Sequence, residues 1–97
     1  MKFVLLYESA DDVASRVPPH LPAHLARIEQ FGARGEIIMI GVFGDPQRQG
    51  AMGIFPTREA AEAFVAGDPF MLNGVIKSCE IREWNGILAA DPATADR

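Results

Sequence analysis

Two segments of the chain are apolar at nearly every position, and this constrains the fold more than any other feature. A sheet with one solvated face alternates apolar and polar residues along its strands. In the first segment, by contrast, Phe3, Leu5 and Tyr7 point to one face while Val4 and Leu6 point to the other. Both faces of the predicted sheet therefore have to be covered. The two segments are KFVLLYE (2–8) and EIIMIGVF (36–43).

Helices can cover only one of these faces, so a monomer would expose an apolar patch of several hundred Å², which is rare in monomeric proteins. We expect a homodimer in which two sheets pack face to face, about 10 Å apart. The alternative is that the polar segment 9–19 or the C-terminal tail folds over the second face. Both consist of small or polar residues, which favours the dimer.

The order of predicted elements is β-α-β-β-α-β, which is typical of the ferredoxin-like α+β fold, a four-stranded antiparallel sheet with helices on one face. We expect one domain over residues 1–90 and a disordered tail over 91–97. A loop is predicted over 9–19 and turns over 44–50 and 68–74. The predicted strands are 2–8, 36–43, 51–55 and 75–88, and the predicted helices run from Leu21 to Gly32–Gly35 and over 58–66, capped by Thr57.

Composition excludes several classes of function. The 97 residues suit one domain, the net charge is −4, and the nine Lys and Arg are scattered, which argues against nucleic-acid binding. The single cysteine, Cys79, excludes an intramolecular disulfide and a cysteine-based zinc site. No segment has the length of a signal-peptide core or a membrane span, so we expect a cytoplasmic protein without membrane contact.

His24 is the first candidate for chemistry. The residues Leu21, Leu25, Ile28 and Phe31 recur at helical spacing, and His24 falls inside their apolar stripe. One interpretation is a histidine at the edge of the core that bonds a backbone carbonyl. The other is a general acid or base, because histidine titrates closest to neutral pH, and such a base needs a partner that orients its ring.

Asp68 is the candidate partner. It stands in the sequence GDP, which is typical of a helix cap followed by proline, and the amides of a helix start favour an ionised carboxylate. Capping and pairing are compatible because a carboxylate has two oxygens. The two residues lie 44 positions apart, on different predicted elements, so spacing alone does not bring them together.

The segments LPAHLARIEQFGARGEI and AAEAFVAGDPFMLNGVIKSCEIREW resemble the YCII family, and the resemblance covers about residues 1–88. It implies a dimeric α+β barrel and an active-site pair of one histidine and one aspartate, which match His24 and Asp68. A related dehydrochlorinase and the more distant muconolactone isomerase imply proton transfer on small cyclic or unsaturated acids. The chain departs from the family at Gly41-Val42, where Gly-Pro is common, and in its short hairpin.

Other candidate residues are weaker. Tyr7, Arg16 and Phe70 are predicted to contact a small-molecule substrate, Arg16 through a carboxylate. The alternatives are that Tyr7 simply packs with its hydroxyl at the rim and that Arg16 is solvated. His20 and His24 have chelating spacing, but Pro22 lies between them and a third ligand is lacking, so no metal is expected. We expect Met71 beside the pocket, Cys79 packed as a small apolar residue, and Trp84 in either the dimer core or the pocket wall.

These residues favour a cofactor-independent enzyme that transfers protons through His24 and Asp68, as an isomerase or a lyase of the dehydrochlorinase type, on a small organic acid or cyclic metabolite. The alternative is a ligand-binding or accessory module that performs no chemistry. A third interpretation is a dimeric scaffold whose cleft is incidental.

Overall fold

The computed structural model describes residues 1–89; the predicted disordered tail over 91–97 lies outside them. The four strands and five helices of this part form one α+β unit, and a 3-10 turn over Pro18–His20 follows the first helix. In chain order the elements are β1 (Lys2–Ser9), α1 (Val13–Arg16), α2 (Leu21–Ala33), β2 (Met39–Val42), α3 (Pro46–Gln49), β3 (Ala51–Phe55), α4 (Arg58–Gly67), α5 (Pro69–Leu72) and β4 (Ile76–Trp84).

The strands form one antiparallel sheet in the order β2-β3-β1-β4. In the centre, Leu5 lies opposite Gly53 on β3 and Ile81 on β4. In this order β1 and β3 are the central strands, and β2 and β4 are the edge strands. The predicted ferredoxin-like arrangement is confirmed.

One face of the sheet, called the inner face here, carries the core. Leu5, Tyr7 and Phe55 point from the strands into a cluster with the helical residues Phe31 and Phe64. All five are buried. Since neighbouring residues of a strand point to opposite faces, the helices pack against the odd-numbered positions of β1.

The other face, called the outer face here, is apolar over three strands. Its cross-strand pairs place Val4 beside Ile54 and Leu6 beside Met52, and Met39 of β2 continues the first row. Met39 is 69% exposed. On β4 the outer face turns polar, with an exposed ion pair between Glu80 and Arg82. The predicted two-sided apolar character is therefore confirmed for β1 and β2, and β3 adds Met52 and Ile54 to the outer face.

The predicted loop over 9–19 is wrong in part, because α1 and the 3-10 turn lie within it. Gln47 of α3 holds this segment by accepting a hydrogen bond from the Val13 amide and donating one to the Ala10 carbonyl, at 2.9 Å each. Val13 is buried in the core. The segment thus packs on the inner side, and the alternative in which it covers the outer face is wrong. The same alternative for the tail lies outside the described residues.

Three other elements differ from prediction by more than one residue. The turn over 44–50 contains α3, whose first turn Asp45 caps by accepting from the Arg48 amide. The second strand is shorter than 36–43 because the Glu36 amide bonds the Phe31 carbonyl and so closes α2 instead of joining the sheet. The last strand ends at Trp84 rather than at residue 88.

No helix among residues 1–89 has the length and apolar character needed to cross a membrane.

Candidate functional site

A cavity of about 560 Å³ opens between α2 and the inner face of the sheet. Its walls are formed by α2 on one side, by β2 and α3 on another, and by α1 and the residues after α5. Most of the lining side chains are aliphatic or aromatic. Those on which the following description depends are Leu21, Leu25 and Ile28 from α2, Ile40 and Val42 from β2, and Tyr7, His24 and Phe70.

The apolar stripe of α2 serves a different purpose from the one its spacing predicts. Of the stripe, only Phe31 is buried, together with His24. Leu21 and Leu25 are 37% and 53% exposed and, with Ile28, line the cavity. Helical periodicity identifies a face that contacts something apolar, but it does not distinguish a packed core from the wall of a cavity.

His24 and Asp68 meet across the fold. The Nδ1 atom of His24 lies 2.7 Å from Oδ1 of Asp68. His24 is 8% exposed and Asp68 is fully buried. The interpretation of His24 as a core histidine bonded to a backbone carbonyl is therefore wrong, because its Nδ1 partner is a carboxylate.

The turn between α4 and α5 sets the position of Asp68. Asp68 ends α4 and caps α5, where its Oδ1 accepts a hydrogen bond of 3.1 Å from the amide of Phe70. Pro69 begins α5 with the backbone angle that a first helical residue requires. The predicted cap and the predicted pairing with His24 thus occur together on the same oxygen.

Tyr7 supplies the remaining contact of the carboxylate. Its hydroxyl donates a 2.5 Å hydrogen bond to Oδ2 of Asp68. Burial, and after it the hydrogen bond to Asp68, raises the pKa of Tyr7 far above its ordinary value, so the phenol stays protonated and remains a donor. Tyr7 lines the cavity, but its hydroxyl is engaged by Asp68 and is not at the rim.

Phe70 packs against the face of the His24 imidazole. Its ring stacks on the ring of His24 with centroids 3.7 Å apart and planes within 8° of parallel. The edge of the same imidazole meets Phe64, with centroids 6.2 Å apart. With Nδ1 bonded and the ring packed in this way, the orientation of His24 is fixed by three separate contacts.

The arrangement leaves one nitrogen for chemistry. The Tyr7 hydroxyl and the Phe70 amide donate to Asp68, so the carboxyl oxygens act as acceptors. With Oδ1 as the acceptor, we assign the proton of the contact with His24 to Nδ1. Nε2 of His24 has no hydrogen-bond partner within residues 1–89. Since every fully buried side-chain nitrogen and oxygen of that part has a partner, Nε2 is not fully buried. Because His24 lines the cavity, Nε2 is the atom that can exchange a proton with a molecule bound there.

The other sequence candidates lie apart from this group. The guanidinium of Arg16 is exposed and donates to the Asp11 carbonyl at 2.8 Å; Arg16 is not part of the cavity wall. Met71 packs against the core without lining the cavity. Trp84 is half-exposed and pairs with Lys2, which places it on the outer face.

The expectation for Cys79 is wrong. It is exposed on the edge strand β4, opposite Tyr7 of β1. Within residues 1–89 there is no group of three or more His, Cys, Asp or Glu side chains that could hold a metal ion.

Sequence reasoning missed the bond between Tyr7 and Asp68 and the bracing of α1 by Gln47. The first joins residues 61 positions apart, and no local pattern signals such a contact. The placement of Tyr7 on the inner-face side of an apolar strand was the only available indication.

The described residues thus form a ferredoxin-like α+β domain with a buried His–Asp pair beside an apolar cavity. Within it, the YCII-related domain model matches residues 1–85, and the chain belongs to the YCII-related family. Comparison with curated protein sequences gives no match.

Among solved structures, the fold is similar to 5-chloro-2-hydroxyhydroquinone dehydrochlorinase from Burkholderia phenoliruptrix AC1100, solved in complex with 2,5-dihydroxybenzoquinone. The two chains share 21% sequence identity with a TM-score of 0.69, over 88% of this chain and 94% of the other. At this identity the similarity establishes the fold they have in common.

Proposed function

We propose that the protein is a cofactor-independent enzyme that transfers protons through His24, as an isomerase or as a lyase that eliminates HX. The observation that carries this proposal is the 2.7 Å contact between His24 Nδ1 and the buried carboxylate of Asp68, with the opposite edge of the ring at the cavity. The dehydrochlorinase with the same fold supports a lyase in particular.

In the proposed reaction, Nε2 of His24 takes a proton from a carbon or oxygen next to a carbonyl group of the substrate. In an isomerisation, the electron pair of the broken C–H bond forms a carbon–carbon double bond and the carbonyl oxygen takes the negative charge as an enolate. The imidazolium then returns its proton to another carbon of the conjugated system. In an elimination, the pair forms a double bond and the halide departs with its own electron pair. A group in this role contributes roughly 10² to 10⁴ in rate.

Asp68 stabilises the positive charge that appears on the imidazole during the reaction and keeps the proton on Nδ1. Tyr7 acts through Asp68: by bonding Oδ2, it fixes the rotation of the carboxylate so that Oδ1 faces the ring. We therefore assign Tyr7 a positioning role, and Phe70 the same role through its stacking on His24.

We also propose that the protein works as a homodimer joined through the outer face. Support comes from the apolar rows on that face, where Val4, Leu6, Met52 and Ile54 are only half-buried, and from the exposure of Met39. Burial of an apolar face is the usual driving force for association.

The proposal is tested with His24→Gln and His24→Asn in a screen of small cyclic and unsaturated compounds, chlorinated ones included. We expect turnover to fall by about 10² or more in both variants, with far-ultraviolet circular dichroism unchanged. Leu72→Gln, on the exposed side of α5, is the matched control and keeps the wild-type rate. Full turnover in the His24 variants would exclude His24 as the base, and binding without turnover of any compound would favour the ligand-binding alternative.

A further inference from the structure

The cavity lacks the positively charged side chains that usually bind an acidic substrate. The two ionisable carboxyl groups at or behind its wall belong to Asp45 and Asp68, and none of the residues that line it within 1–89 is a lysine or an arginine. Its remaining walls are largely aliphatic, from α2 and β2.

The nearby arginines point to other partners. Arg16 donates to the Asp11 carbonyl at 2.8 Å. Arg27 of α2 donates to the carbonyls of Phe64 and Ala63, at 3.1 and 2.7 Å. Arg48 lies within 4.0 Å of Asp45 and lines a separate cleft on the other side of α3.

His24 does not replace these missing cations. When its ring is protonated, Asp68 at 2.7 Å already balances the charge, and the pair presents a neutral face to the cavity. A carboxylate moved from water into such a site loses its hydration without gaining a counter-ion, which is strongly unfavourable. A hydroxyl or carbonyl group needs only one hydrogen bond, and Nε2 of His24 can form it.

We infer that the site takes an uncharged ring compound that carries a hydroxyl or carbonyl group, rather than a carboxylic acid. This inference rests on the proposed function and specifies its substrate class. It removes the carboxylic acids that the family resemblance implies and keeps the uncharged cyclic compounds. The cavity volume of about 560 Å³ lies within the range of small-molecule sites. The ring packs against the aliphatic walls, and its polar group forms a hydrogen bond with Nε2 of His24.

The test compares a naphthol with the naphthoate substituted at the same position, at neutral pH, where the first is neutral and the second is an anion. Binding is measured by amide chemical-shift perturbation on the full chain. We expect the naphthol to shift the amides around His24 and Leu25 and to bind about tenfold or more tightly than the naphthoate.

Leu25 offers a matched pair of variants, because it lines the cavity and is 53% exposed, so the surface tolerates a polar side chain there. Leu25→Lys supplies the cation that the wall lacks and is expected to strengthen naphthoate binding at least about threefold. Leu25→Gln has similar size without the charge and is expected to keep the preference for the naphthol.

Equal or tighter binding of the naphthoate to the wild-type protein would overturn the inference, and so would the failure of both compounds to bind. These outcomes are distinct from failure of the acid–base proposal. A preference for the naphthol together with full turnover in His24→Gln would remove the proposed reaction alone. A preference for the naphthoate together with lost turnover in His24→Gln would remove the substrate class alone.

Discussion

At the scale of single residues, Asp68 connects the parts of the site. It is fully buried, and its two oxygens receive the Tyr7 hydroxyl, the Phe70 amide and the His24 imidazole. A buried donor left without an acceptor costs about 1–3 kcal/mol. Asp68 therefore contributes to stability as well as to the proposed chemistry.

For this reason we expect Asp68→Ala to lower the free energy of unfolding by about 3–5 kcal/mol and Asp68→Asn to lower it less, because the amide oxygen still accepts from Phe70. Urea unfolding followed by circular dichroism measures both. Asp45→Ala is the control, since Asp45 caps α3 on the exposed surface and its loss costs about 1 kcal/mol. Equal losses at the two positions would contradict the role given to burial.

Tyr7 provides a pH-dependent prediction. Its pKa is raised in the folded state by burial and by Asp68, whereas in the unfolded chain it titrates near its ordinary value of about 10. Above that pH the unfolded state loses a proton that the folded state keeps, so stability falls by up to about 1.4 kcal/mol per pH unit from this group. Below it, Tyr7 contributes no pH dependence.

Since Tyr7 is the single tyrosine of the chain, ultraviolet absorbance of tyrosinate reports it alone. We expect tyrosinate to form only as the circular dichroism of the fold is lost, and Tyr7→Phe to show a shallower loss of stability at alkaline pH. Tyrosinate formation near pH 10 in a chain with native circular dichroism would refute the buried hydrogen bond.

At the scale of elements, the turn that joins α3 to β3 brings the backbone close to the floor of the cavity. Gly50 has φ +73° and ψ −140°, a region that side-chain-bearing residues rarely adopt. A Cβ atom at this position would lie 1.9 Å from the carbonyl oxygen of Tyr7. Only glycine allows β1 and this turn to approach so closely.

Gly50→Ala is therefore expected to cost about 3 kcal/mol or more and to displace β1 at Tyr7. Gly35→Ala is the matched control, because Gly35 has φ +71° but no atom within 4 Å of its Cβ position. This substitution is expected to lower the free energy of unfolding only by the cost of a positive φ, about 1–2 kcal/mol. Thermal unfolding of the two variants separates the cost of the steric clash with Tyr7 from the cost of the positive φ that both positions share. Similar losses would show that the turn relaxes without affecting the strand.

At the scale of the whole molecule, the proposed homodimer depends on the outer face. Its apolar rows are half-buried on β1 and β3, and Met39 of β2 is exposed. Leu72 provides a comparison, because it is as exposed as Met39, at 68% against 69%, but lies on α5 in the helical layer.

We expect the wild-type chain to sediment as a dimer at micromolar concentration in analytical ultracentrifugation. Met39→Lys is expected to weaken association by about 100-fold or more, because it places an unpaired charge in the interface, whereas Leu72→Lys leaves it unchanged. A wild-type monomer, or equal effects of the two lysines, would refute association through the outer face.

The sequence by itself determined the features that depend on neighbours a few positions apart. These include the β-α-β-β-α-β order, the Thr57 cap, which accepts from the Ala60 amide at 3.1 Å, and the Asp68 cap of α5. Helix caps and strand periodicity are local interactions, so they can be inferred from spacing alone. The family resemblance added the pairing of His24 with Asp68, which spacing did not provide.

Only the tertiary structure decided how these elements build the site. The contacts of Asp68 with His24 and Tyr7 join residues 44 and 61 positions apart, and they form because packing brings the start of α2, the end of α4 and the centre of the sheet together. Packing also made Leu21 and Leu25 a cavity wall rather than core. Amphipathic spacing states which side of a helix avoids water, but the arrangement of the other elements decides whether that side is filled or left open.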